Sequence, residues 1–164
     1  KNVAVLHTVR DPGNAGTVIR AADAAGCDLV IMTAESVDLF NPKVVRSTAG
    51  SIFNIPIITS VDLDEVIGQL GAAGLQVLAA SGYGTFDLDD LLDVAGTPEA
   101  TQSVDLAAPT AWLFGNEARG LSDAEVALAN ASVKVPIRGK AESLNLATAA
   151  TVCVYATSRA QRVK

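Results

Sequence analysis

A chain of 164 residues fits one ordinary domain with a full core. It is 49% hydrophobic but only 4% aromatic, and its apolar side chains are mainly Ala, Val, Leu and Ile, which suits helices lying directly on a buried sheet. A formal net charge of −6 argues against a stand-alone nucleic-acid binder, because such affinity comes from Lys and Arg against phosphate. His7 is the single histidine, so a mechanism built on several histidines is excluded. No apolar run approaches the ~20 residues of a membrane span, and no signal peptide is visible. Cys27 and Cys153 lack metal or redox spacing and read as reduced core thiols.

In chain order, residues 3–7 form an apolar run that predicts a buried strand. Asp11-Pro12-Gly13-Asn14 is turn chemistry, with Asn14 as the expected N-cap of a helix over 17–25 that Gly26 stops. A second strand over 29–32 completes a βαβ unit, so the sheet is at least partly parallel. Asn41-Pro42 opens a short helix to Ser47, and residues 55–59 read as an edge strand or a strand start because of Pro56. A helix over 62–73 carries Asp62, Asp64 and Glu65 in its first turn, where the dipole favours them. A strand follows over 76–80. From 83 to 109 the pattern weakens into a connection lined by Asp87, Asp89, Asp90 and Asp93, read as a solvated face with one short helix. Residues 110–114 are a strand, and residues 122–129 a helix opened by the capping box Ser122/Glu125. Residues 132–135 are a strand stopped by Pro136, and a long helix runs from Ser143, its expected cap, to about Arg162.

Three constellations carry chemistry. In the first, Asn14, Gly16 and Arg20, glycine removes bulk beside a helix N-terminus and an arginine lies in the first turns, suited to an anion. In the second, Gly115, Glu117 and Gly120, a glycine directly after a strand lets a ligand approach the sheet's carboxyl edge, with a carboxylate free to face a cationic ligand. In the third, Pro136, Ile137 and Gly139 are followed by Ser143, Leu144 and Asn145: a stiff loop, then polar groups and an apolar surface for a flat ring. The glycines of a dinucleotide fingerprint are absent, which counts against a Rossmann-type dehydrogenase fragment.

Together these motifs resemble the SpoU/TrmH family of RNA 2′-O-ribose methyltransferases in the SPOUT superfamily, over residues 3–155. The resemblance implies an α/β fold, a mostly parallel sheet flanked by helices, with a C-terminal deep trefoil knot. It implies S-adenosylmethionine as cofactor, held in that knot, and methyl transfer to a ribose 2′-hydroxyl of RNA, ribosomal before transfer RNA. It further implies a homodimer with the site near the subunit interface, a cytoplasmic enzyme, and neither metal nor membrane. The catalytic residues would be Arg20, Asn14, Glu117, Ser143 and Asn145. The cofactor would be bound by Ala80, Ser81, Gly82, Gly115, Asn116, Val135, Ile137, Ser143, Leu144 and Leu146. A guanidinium is a poor base because its pKa is above ~12, so Arg20 is expected to hold the target phosphate and stabilise the developing alkoxide. Residues 1–164 are expected to be one methyltransferase domain, with any N-terminal RNA-recognition domain outside this chain. Arg10, Arg20, Lys43, Arg46, Arg119, Arg138 and Lys140 would leave a local basic rim. A non-catalytic RNA-binding or dimerisation module is the rival reading, and the intact motif residues speak against it.

Overall fold

A computed structural model describes residues 1–100 and 104–162. Residues 101–103, inside the expected acidic connection, lie outside the described residues. The apolar runs become strands β1 (Asn2–Leu6), β2 (Leu29–Thr33), β3 (Ile57–Val61), β4 (Gln76–Ala80), β5 (Phe86–Asp87), β6 (Thr110–Phe114) and β7 (Ala131–Lys134). They pair in the order β3-β2-β1-β6-β4-β7-β5, and each pairing is parallel. β1 and β6 are buried at every position, as expected for central strands covered on both faces.

Alternation along these strands divides the core in two. Ala4, Leu6, Trp112 and Phe114 face one layer, with helices α1 (Pro12–Ala24), α2 (Pro42–Ser47), α4 (Leu88–Val94) and α6 (Leu146–Arg162). Val3, Val5, Ala111 and Leu113 face the other, beneath α3 (Leu63–Ala72). Helix α5 (Asp123–Ala127) follows β6, and its capping box is present as expected. The last helix is pinned to the sheet by Trp112 Nε1, which donates to Thr157 Oγ1 at 2.8 Å in the buried core.

β7 is late in the chain yet lies between β4 and β5. The chain then returns as α6 against α1, β1 and β6. This late insertion is consistent with the knot that the resemblance implies. Both cysteines are unbridged, and burial pushes the Cys27 and Cys153 thiols up to about 12.

Gly16 has a role other than the one its sequence context suggests. It is not a site for an anion to approach but the contact between α1 and α2. A Cβ there would meet Ser47 Cβ at 2.4 Å and the Val44 carbonyl oxygen at 2.6 Å. Gly16→Ala is therefore expected to force the helices apart at a cost of about 1–3 kcal/mol, read as a lower midpoint in urea unfolding.

Candidate active site

The carboxyl ends of β1, β6, β4 and β7 stand side by side, so the loops that leave them share one edge of the sheet. After β6 the chain folds back on itself, with Gly120 N–H donating to the Asn116 carbonyl at 2.8 Å. Gly115 makes that possible: a Cβ would sit 2.5 Å from the Gly120 carbonyl carbon. Its bareness thus serves the loop's own backbone.

Glu117 faces the backbone at the entrance to α1. Its carboxylate accepts from the Asp11 amide at 2.8 Å and the Arg10 amide at 3.3 Å, and Asn116 Nδ2 donates to the Thr8 carbonyl at 2.9 Å. The β6 loop therefore grips the loop that leads into α1.

The caps differ from expectation at both helices of the site. Asp11, not Asn14, is the N-cap of α1, accepting from the Asn14 amide at 2.7 Å. The helix begins at Pro12 because proline needs no amide partner there. Asn14 is consequently inside the first turn, where its side-chain oxygen accepts from Asn145 Nδ2 at 3.0 Å. Asn145, not Ser143, caps α6, its oxygen accepting from the amides of Ala147 at 2.8 Å and Thr148 at 3.3 Å. One asparagine so caps the last helix and ties it to the first. Ser143 is exposed beside it, and Arg20 is exposed with no ion pair among the described residues.

The residues expected to hold the cofactor lie on the loops after β4, β6 and β7. Ala80 ends β4, and the Ser81 amide donates to the Val133 carbonyl at 3.0 Å, which holds Ser81 and Gly82 beside β7. Residues 136–144 make no backbone hydrogen bond among the described residues. Their amides and carbonyls are free to read the edge of a nucleobase. Ile137 and Leu144 are 39% and 38% exposed, while Val135 and Leu146 pack partly against the core. An unpaired backbone edge flanked by apolar side chains suits an adenosine, so the donor set fits S-adenosylmethionine. Arg138, near the start of the same loop, reaches Asp89 on α4 at 2.7 Å, so the acidic run is partly paired rather than only solvated.

A second polar cluster was not anticipated. Arg119 grips Glu125 through both nitrogens at 3.0 Å. Glu125 also accepts from the Ser122 amide at 2.7 Å and from His7 Nε2 at 2.9 Å. His7 Nδ1 meets Thr33 Oγ1 at 3.1 Å, and Thr33 accepts the Thr8 amide. These groups line a cavity of about 530 Å³ bounded also by Glu35 and Asp64. The capping box made Glu125 legible as a cap, but its two further partners are remote in sequence.

The chain matches the SpoU rRNA Methylase family over residues 1–155, and it belongs to that family. Among its relatives is the 23S rRNA (guanosine(2553)-2'-O)-methyltransferase RlmP of Bacillus subtilis, 39% identical over 94% of this chain and 57% of that protein. The SpoU methyltransferase AviRb of Streptomyces viridochromogenes, in complex with the cofactor AdoMet, superposes with a TM-score of 0.83 and 32% identity, over 98% of this chain and 60% of that one. An AdoMet-bound rRNA methyltransferase of Sinorhizobium meliloti gives 0.81 and 37%, over 97% and 56%. This chain thus spans a little over half the length of the relatives it matches.

Arg119 first, then the Ser122 amide and His7, hold the Glu125 carboxyl down to about 2. A carboxyl depressed on folding contributes stability above its unfolded value near ~4.3, and that stability fades as pH falls toward the folded value. Glu125→Gln is expected to lower stability by about 1–2 kcal/mol at pH 7, the figure kept small because Arg119 is half exposed. The gap between variant and parent should narrow below pH 4 in denaturant titrations.

Proposed function

We propose that this chain is the S-adenosylmethionine-dependent catalytic part of an RNA ribose 2′-O-methyltransferase. The carrying observation is the junction of the three motifs at one sheet edge: Glu117 on the Asp11 amide, and Asn14 bonded to Asn145. Family membership and the relatives named for 2′-O methylation of 23S rRNA support the reading. They also favour ribosomal over transfer RNA as substrate.

The cofactor supplies a methyl group already activated on a sulfonium. Residues 136–144, with Ala80, Ser81, Gly82, Gly115, Asn116, Val135 and Leu146, would hold it against the carboxyl edge of β4, β6 and β7. The ribose 2′-oxygen forms a bond to that methyl carbon as the carbon–sulfur bond breaks, leaving S-adenosylhomocysteine. The hydroxyl proton passes to phosphate or water. Arg20, which makes no ion pair among the described residues, holds the target phosphate and stabilises the negative charge that develops on oxygen. Asn14 and Asn145 fix the start of α1 relative to α6. Glu117 fixes the backbone ahead of it, and Ser143 presents its hydroxyl beside them.

We further read the protein as a homodimer, supported by the half-exposed Val152 and Tyr155 on the outer face of α6. We read its location as cytoplasmic, supported by bacterial relatives such as RlmP of Bacillus subtilis. No helix among the described residues is long and apolar enough to cross a membrane.

Arg20→Ala should lower methyl transfer to unmodified 23S rRNA by roughly 100-fold or more. Binding of S-adenosylhomocysteine, followed by calorimetry, should stay close to that of the parent. Activity that survives the substitution removes Arg20 from the mechanism, and a parent that binds no S-adenosylhomocysteine removes the enzyme assignment.

A further inference from the structure

Although the chain carries a net charge of −6, it has long stretches without an acid, and one of them includes α2. Residues 39–61 contain no Asp or Glu but include Lys43 and Arg46, neither of which is ion-paired among the described residues. Arg10, Arg119 and Arg138 of the expected basic rim are paired instead, with Glu35, Glu125 and Asp89. The same stretch exposes two phenyl rings: Phe40, 76% exposed just before α2, and Phe53, 87% exposed at the end of the 3-10 turn Ser51–Phe53. After Tyr83, these are the most exposed large apolar side chains among the described residues.

These groups lie along one helix. A methyl group at Gly13 would be 3.8 Å from Lys43 Cε, and one at Gly16 would strike Ser47. Asn54 Nδ2 donates to Asp23 at 3.0 Å. Residues 43–54 therefore run alongside α1 in its own direction, from Gly13 to Asp23, about 15 Å of helix. Arg20 is four residues after Gly16 and three before Asp23, which places it on that same face. Two carboxylates flank the ridge: Asp11 at the near end caps α1 through Oδ1, and Asp23 at the far end accepts from Asn54 Nδ2.

We propose that the α1/α2 ridge is a platform for single-stranded RNA, with Lys43, Arg46 and Arg20 on consecutive phosphates and Phe40 and Phe53 stacking on bases at either end. This rests on the methyltransferase reading for its biological meaning, but its physical basis is separate. Aromatic faces interleaved with unpaired cations recognise splayed bases on a flexible strand. A stacked duplex would hide those bases. The charge also favours RNA over a second copy of this acidic chain.

The platform is tested by fluorescence anisotropy with a labelled single-stranded RNA dodecamer, and with its duplex as control, across a salt series. Phe40→Ala and Phe53→Ala should each weaken single-strand binding by roughly 5- to 100-fold. Lys43→Ala and Arg46→Ala should each flatten the log–log salt slope by about 0.7. Binding of S-adenosylhomocysteine should be unchanged in all four. Unaltered affinity in the Phe40→Ala/Phe53→Ala double variant overturns the proposal, as does duplex binding equal to that of the single strand. Sedimentation velocity supplies the other decisive result: a loss of dimer in Phe53→Ala would make the ridge a protein interface and sink the RNA platform. If the parent binds the dodecamer through these residues but not S-adenosylhomocysteine, the enzyme reading fails while the platform stands.

Discussion

Two hydrogen bonds from the backbone of residues 10 and 11 to one carboxylate set the geometry on which the site depends. Glu117 accepts both amides, and it can reach them only because the loop carrying it is closed by Gly115 against Gly120. The entrance to α1 is thereby fixed to β6, a neighbour in the sheet that is remote in sequence. Once α1 starts at a defined point, Asn14 meets Asn145 and the start of α6 is fixed as well. Each of these contacts is single and exposed, worth about 1 kcal/mol alone. Their effect is positional: they bring three segments far apart in the chain to common coordinates at the edge of a rigid parallel sheet.

Behind this junction lies a second tier of contacts. His7 just after β1, Thr33 on β2 and Glu125 on α5 form a continuous hydrogen-bonded line that closes on Arg119, within the same β6 loop. His7 meets Glu125 through Nε2 and the Thr33 hydroxyl through Nδ1. Thr33 in turn receives the Thr8 amide, at a residue whose φ of +52° puts a β-branched side chain in the left-handed region. The loop that Glu117 holds from one end is thus also held from its beginning, and the backbone strain at Thr8 is stored between the two grips.

Strand positions were largely legible from apolar runs and turn residues, since β4 and β6 occupy the residues that hydrophobic periodicity assigns to them. Helix starts were less so. Asn14 and Asp11 are both good caps three residues apart, and the choice between them was made by Pro12 and by Glu117 holding the Asp11 amide. Ser143 and Asn145 posed the same ambiguity, and it was resolved by Asn14, a partner on another helix. The glycines show a related effect. Gly16 and Gly115 read from sequence as places for a ligand to approach, and in the fold each also admits another piece of the chain. Pair contacts across such distances leave no local trace in sequence. The motif residues themselves were recognisable through the family resemblance, while the His7–Glu125–Arg119 line was not.

The place of β7 has a consequence for how the protein forms. Its slot lies between β4 and β5, strands synthesised some forty residues earlier or more. That slot must stay open, with the edges of both neighbours unpaired, while β6 and α5 emerge from the ribosome. The chain therefore cannot close its sheet in the order in which it is made. Non-local pairing of this kind is slow, and the waiting edges are exposed to the wrong strand throughout. The native sheet order thus makes maturation, rather than the finished fold, the vulnerable stage in the life of this molecule.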